Sequence, residues 1–284
     1  MENRITIADL LKAKQEHRRI VAVSCYDYTT ARLVAQAQVD MILVGDTAAE
    51  FVLGHDSTLP VSMDFMVAIT AAVRRAAPDA YLVADMPFLS YQAGTADAVR
   101  NAGRFLVEAG AQMVKIEATR AYLNTIREVS NAGIPVMAHI GILPQWISTI
   151  GRFRAEATTA DAAITLVRLA EQMAQAGASA LLIEGTAAEV AQAITERSPL
   201  LVISCGSGPG CDGQILVAPD ILGLSLAQSP KFAKAYADLG ARSIEAFRKY
   251  GEEIRAGRFP DAEHSYHMKP GQAQRFEELL RTNV

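Results

Sequence analysis

Acidic side chains and one histidine recur at one place in this chain, just after short apolar runs. In order they are Tyr26-Asp27, Asp46, Asp85, Glu117, His139 and Glu184. Lys115 stands two positions before Glu117, the spacing that puts both side chains on one face of a strand. A single Asp so placed is as readily the N-cap of the next helix; six successive positions describe a ring. Carboxylates converging on one point repel each other unless something positive lies between them, and one ammonium cannot balance the set. A divalent cation can. Oxygen donors without paired Cys or His favour Mg²⁺ over zinc, with Mn²⁺ as a substitute. Such an ion keeps positions for water and for a chelating substrate, and a 2-oxo acid offers a carboxylate and a ketone oxygen together. Polarising that ketone would acidify the neighbouring carbon and stabilise the enolate formed there. The pattern points to carbon–carbon chemistry beside a carbonyl, with Glu184 or His139 handling the proton, directly or through water.

To converge, these side chains must stand at equivalent ends of parallel strands. Candidate strands cover 20–24, 41–45, 81–84, 113–116, 135–138, 180–183, 200–204 and 214–217, each rich in Val, Ile and Leu as in strands buried on both faces. Helix-length segments lie between them at 29–38, 62–76, 95–109, 121–132, 159–176 and 187–196, several closing on glycine (Gly110, Gly133, Gly177). Eight such units predict an α/β fold, a closed (β/α)8 TIM barrel in preference to an open doubly wound sheet, with its site at the carboxyl ends of the strands. No linker splits the chain, so residues 1–284 read as one domain. A leading helix at 5–17 would cover the barrel bottom; helices follow residue 231, and a polar tail begins at 264.

Composition excludes several functions. Lys and Arg number 27 against 31 Asp and Glu, a net charge of −4 that gives no chain-wide attraction to nucleic acid. No apolar run is long enough for a membrane span, and the first residues lack a charged-then-apolar leader. The cysteines at 25, 205 and 211 show no Cys-x-x-Cys spacing, so reduced thiols and a cytoplasmic location are expected. The Gly-rich stretch 205–211 reads as a tight turn at the mouth, ahead of a phosphate cradle, because it lacks the Lys-Ser/Thr ending of a P-loop.

Specific strings add a resemblance. Tyr26-Asp27-Tyr28, Val44-Gly45-Asp46, Gly54-His55-Asp56-Ser57-Thr58-Leu59-Pro60-Val61, Ala84-Asp85-Met86-Pro87-Phe88, Val114-Lys115-Ile116-Glu117, Ala138-His139-Ile140-Gly141 and Asp212-Gly213-Gln214 are those of the ketopantoate hydroxymethyltransferase family, which the chain resembles from about residue 5 to 267. The resemblance implies a barrel of the phosphoenolpyruvate mutase and isocitrate lyase group. It implies transfer of a one-carbon unit from 5,10-methylenetetrahydrofolate to 3-methyl-2-oxobutanoate, giving ketopantoate for pantothenate biosynthesis. By position, Asp46 and Asp85 would hold Mg²⁺ and touch substrate, and Glu117 would be the third carboxylate, directly or through water. Thr47 would donate to the substrate carboxylate, Lys115 would bind the 2-oxo acid, and His139 would lie over the reacting carbon. Glu184 would be the proton acceptor. A homo-oligomer is implied too, family members commonly being decamers of five dimers.

The departures are local. Thr47-Ala48-Ala49-Glu50 replaces a Ser-Leu-Gly-Met run, Gly185-Thr186 follows Glu184, and Ser204-Cys205-Gly206-Ser207-Gly208 replaces a Gly-Ile-Gly-Ala-Gly run. The loop 151–157, Gly151-Arg152-Phe153-Arg154-Ala155-Glu156-Ala157, replaces a Gly-rich, Lys-bearing lid. They keep open a paralogue with another 2-oxo acid acceptor or one-carbon donor, or a carbon–carbon lyase. Two arginines where the lid has one lysine predict a preference shifted from 3-methyl-2-oxobutanoate toward a 2-oxo acid with an added polar or acidic group.

Overall fold

The computed structural model describes residues 4–225 and 230–283. Eight parallel strands, β1 Ile20–Ser24, β2 Met41–Val44, β3 Tyr81–Asp85, β4 Met113–Glu117, β5 Val136–Gly141, β6 Ala180–Glu184, β7 Leu201–Cys205 and β8 Gly213–Val217, close in sequence order, β8 pairing back onto β1. The barrel reading stands, and the open sheet falls. The helices in chain order are α1 Ile7–Gln15, α2 Tyr28–Gln36, α3 Ala48–Phe51, α4 Met63–Ala76, α5 Thr95–Val107, α6 Leu123–Asn131, α7 Ile147–Ile150, α8 Ala160–Gln175, α9 Ala188–Arg197, α10 Ala218–Leu222, α11 Leu239–Arg255 and α12 Gln272–Asn283. The segment read as a polar tail therefore carries a helix, α12, with Phe276 among its side chains.

Two apolar layers follow from the two-residue period of the strands. Inward residues such as Ile20, Met41, Tyr81, Met113, Leu182 and Ile203 fill the barrel, and Leu10 of α1 is buried among them at the bottom. Outward residues such as Ile42, Leu82, Val114 and Ile183 pack against the surrounding helices. Local signals start those helices where expected: the Thr6, Asp27, Ser62 and Thr159 side chains accept N-cap hydrogen bonds from Asp9, Thr30, Phe65 and Ala162 N–H. Among the described residues, no helix is long and apolar enough to cross a membrane.

Candidate active site

The same period that packs the barrel aims its polar residues. On β3 the inward series Tyr81, Val83 ends in Asp85; on β4, Met113 is followed inward by Lys115 and Glu117; on β5, Met137 by His139; on β6, Leu182 by Glu184. The ladders bring Asp85 opposite Lys115 and Glu117 opposite His139. Asp46 comes one residue past Gly45, where the chain turns into α3. A cavity of about 70 Å³ is lined by Asp46, Asp85, Lys115, His139 and Glu184, and also by Ser24, Thr47, Pro144 and Cys205; Glu117 is fully buried and does not line it.

Its electrostatics are those of crowded, dry carboxylates. Asp46, Asp85 and Glu117 are all buried. Burial, then repulsion from Asp46, pushes the Asp85 carboxyl well above its ordinary range, against the pull of Lys115. Glu117 is likewise raised, first by burial, with Lys115 opposing and Asp46 and Asp85 adding. Burial lowers the Lys115 ammonium, but Asp85, Asp46 and Glu117 together outweigh it and hold the charge. Lys115 Nζ lies 2.9 Å from Asp85 Oδ1 and 3.3 Å from His139 Nδ1. Asp46 N–H donates to Asp85 Oδ2 at 3.0 Å. His139 Nε2 faces Glu184 Oε2 at 3.3 Å. An ammonium has no acceptor, so His139 Nδ1 must accept from Lys115 and the ring proton of the neutral imidazole sits on Nε2, toward Glu184. Burial, with Lys115 second, depresses the imidazole pKa and favours that neutral form.

Gln145, in the short turn Pro144–Trp146 after β5, was not anticipated. Its backbone N–H is held by both Glu117 oxygens at 3.2 and 3.0 Å, and its Nε2 donates to Asp46 Oδ2 and to Met86 O, both at 2.9 Å. Tyr91 Oη donates to Gln145 Oε1 at 2.8 Å. Two of the three carboxylates are thus oriented by one buried amide residue, in a loop that strand periodicity cannot single out. Pro144 at the turn start was the only local cue. Asp27, in contrast, leaves the ring: it is exposed and caps α2 at Thr30 N–H, 2.8 Å away, so capping accounts for it. Its neighbour Tyr26 instead shares a 2.7 Å hydrogen bond with Thr47 Oγ1.

Two loops shape the rim. The bond from Ile142 N–H to Glu184 O, 2.9 Å, brings β5 so near β6 that a Cβ on Gly141 (φ +95) would lie 2.2 Å from that same carbonyl. No side chain fits there. In 151–157, Arg152 and Arg154 are exposed and neither lines the cavity. The loop is instead tied to the turn after β6 by Glu156 N–H to Gly185 O, 2.8 Å, and Ala187 N–H to Glu156 O, 3.1 Å. The Gly-rich turn spends its donors internally: Ser207 N–H on Ser204 Oγ at 3.0 Å and Ser207 Oγ on Ile183 O at 2.9 Å. It is a mouth-shaping turn. Cys25, Cys205 and Cys211 are free thiols.

The donor set suits a hard divalent cation. Asp85 Oδ1 and His139 Nε2 are buried without an aligned hydrogen bond, and three carboxylates share one ammonium. Among the described residues, no three His, Cys, Asp or Glu side chains are already gathered tightly enough to hold an ion alone, so water and substrate oxygens would complete its shell, as Mg²⁺ ordinarily requires.

The parallel eight-stranded barrel has the fold of solved phosphoenolpyruvate mutase and isocitrate lyase superfamily members. Solved structures share that fold at low identity: 2,3-dimethylmalate lyase (TM-score 0.58, 18% identity, 98% of this chain and 97% of that one) and phosphonopyruvate hydrolase in complex with oxalate and Mg²⁺ (0.58, 15%, 98% and 97%). The fold alone therefore spans lyases and hydrolases. Closer relatives decide the reaction class. The ketopantoate hydroxymethyltransferase family model matches residues 4–262. The chain is 48% identical to 3-methyl-2-oxobutanoate hydroxymethyltransferase of Hyperthermus butylicus, covering 98% of this chain and 96% of the relative. It is 45% identical to that of Moorella thermoacetica, covering 93% and 98%. The chain belongs to the ketopantoate hydroxymethyltransferase family and is a transferase.

Proposed function

We propose that the protein moves a one-carbon unit from 5,10-methylenetetrahydrofolate to C3 of 3-methyl-2-oxobutanoate, with Asp46 and Asp85 holding Mg²⁺ and Glu117 supporting it directly or through water. The carrying observation is that Asp46 and Asp85 face Glu184 and His139 across one small cavity, with Glu117 buried beside it. The bound cation would polarise the substrate ketone and so acidify C3. Lys115 would hold the substrate carboxylate end as a fixed positive charge, and Thr47 would donate its hydroxyl there. Glu184 would take the C3 proton; His139 presents a proton on Nε2 and has its Nδ1 engaged, so it steadies the Glu184 carboxylate rather than accepting. The C3–H electron pair would form the bond to the donor's methylene carbon, whose two C–N bonds break; water supplies the hydroxyl, and its second proton and the C3 proton end on the two nitrogens of the released tetrahydrofolate. Turnover of 3-methyl-2-oxobutanoate that requires both Mg²⁺ and the folate would support this reading; turnover with another one-carbon donor only would overturn it.

Cation dependence should carry a pH signature. A carboxyl raised in the fold contributes stability that is present below its ordinary pKa and lost as pH rises through its raised one. The metal-free protein therefore carries its carboxylate repulsion most fully at pH 8, where a cation relieves it. His139 acts oppositely, costing stability below about pH 6.5, with or without the ion. A fixed Mg²⁺ concentration, about 100 times the Kd at pH 8, should raise Tm by on the order of 5 °C at pH 8, and by clearly less at pH 6, where protonated carboxyls weaken binding. Equal rises at both pH values would remove the carboxylates from the site.

The preference for a polar or acidic substrate expected from the lid has no support in its placement, since both arginines are exposed and neither lines the cavity. Arg152→Ala/Arg154→Ala should leave kcat/KM for 3-methyl-2-oxobutanoate and for a 2-oxo diacid within about twofold of the parent, the size of a solvated charge change. A selective tenfold loss for the diacid would restore the clamp.

A further inference from the structure

Three neutral side chains that do not line the mouth cavity, Tyr91, Gln92 and Gln145, form one hydrogen-bonded circuit beside its carboxylates. Gln145 is the centre of it. Its Oε1 accepts from Tyr91 Oη at 2.8 Å and from Gln92 Nε2 at 3.1 Å, while its Nε2 donates to Asp46 Oδ2 and Met86 O. An amide has one accepting end and one donating end, so the side chain fits in one sense. Turned over, its oxygen would meet the Asp46 carboxylate and the Met86 carbonyl, and its nitrogen would meet the Gln92 nitrogen. Gln92 is fixed in its turn, because its Oε1 accepts the Tyr91 backbone N–H at 3.3 Å and leaves Nε2 as the donor.

Packing holds the circuit in place. Tyr91 and Gln145 are buried. The Tyr91 ring meets the edge of Tyr122 at 5.4 Å between centroids, and Tyr122 meets Trp146 at 6.4 Å, both pairs near perpendicular. Trp146 follows Gln145 in the same short turn, so the contacts return to the residue where they began. The loops after β3, β4 and β5 are thereby tied together, and Tyr91 Oη also lies 3.3 Å from Glu117 O. A buried polar network with its members matched is rigid. This one fixes Asp46 by its Oδ2 and Glu117 by the Gln145 N–H that both its oxygens accept. Carboxylates already held lose less freedom when an ion arrives.

We propose that Tyr91 is a positioning residue for the cation: through Gln145 it holds Asp46 and Glu117 in the arrangement that takes up Mg²⁺, and so sets affinity without touching ion or substrate. This rests on the cation reading given above. The test titrates Mg²⁺ alone into the metal-free protein by calorimetry. Tyr91→Phe keeps the ring and removes one oxygen; it should weaken Kd about tenfold, within the 10–100-fold that outer partners contribute to metal affinity. Gln145→Met keeps the side chain's length and removes the amide, and should weaken Kd at least as much. The double substitution should bind as weakly as Gln145→Met and no weaker, because the phenol acts through the amide; separate structural damage would add. Where the parent takes up Mg²⁺, an unchanged Kd in Tyr91→Phe, or losses that add in the double variant, overturn the positioning role and leave the cation reading standing. A parent that takes up no Mg²⁺ overturns both.

Discussion

Asp85→Ala is expected to abolish turnover and to weaken the fold, whereas Asp46→Ala abolishes turnover alone. Both remove an oxygen donor from the proposed cation site. Losing Lewis-acid stabilisation worth several kcal/mol lowers the rate on the order of 10³-fold. Their structural roles differ. Asp85 is the 2.9 Å ion partner of Lys115, with 5% and 1% of the two side chains exposed. Deleting it leaves a buried ammonium whose nearest counter-charge is gone, a change that costs about 3–5 kcal/mol where no other group compensates. Asp46 and Glu117 remain to soften that loss, so a Tm drop of several degrees is the expected reading for Asp85→Ala. Asp46 has no such cation partner in the described residues. Its removal relieves the repulsion that raises Asp85 and Glu117, which offsets the lost hydrogen bond from Gln145 Nε2, so the metal-free Asp46→Ala protein should melt close to the parent and above Asp85→Ala. The sequence reading treats the two as equivalent; the ion pair separates them. Thermal denaturation without Mg²⁺ decides, and equal Tm values for the two variants would refute the distinction.

Glu184→Gln should lower kcat about 10²–10⁴-fold, the range of a lost general base, and should slow exchange of the C3 hydrogen of 3-methyl-2-oxobutanoate in heavy water by the same factor. The amide keeps the shape and can still meet His139, so substrate binding should change little. His139→Asn removes the group that faces Glu184 but not the acceptor, and should leave measurable exchange. If Glu184→Gln exchanges at the parental rate while His139→Asn does not, the proton belongs to the imidazole.

Much of this site was legible because a barrel strand converts sequence spacing into direction. Asp85 and Glu184 each continue an inward series of apolar residues two and four positions earlier, His139 follows Met137, and Lys115 and Glu117 follow Met113. Asp27 broke the pattern because it lies three residues beyond β1, where the chain has already turned to start α2 and the carboxylate finds a free N–H. Gln145 escaped for the converse reason. It belongs to no strand, and its importance comes from an approach of three loops that no local spacing encodes.

The doubly held backbone amide of Gln145 has a use beyond architecture. Its proton is shielded by the two oxygens of Glu117, so its rate of exchange with solvent records what that carboxylate is doing. If Glu117 supports a cation as proposed, binding would draw its carboxylate away, and the amide's exchange and chemical shift would change with it. The amide would then be an internal probe of mouth occupancy, readable without a label and in the absence of any turnover.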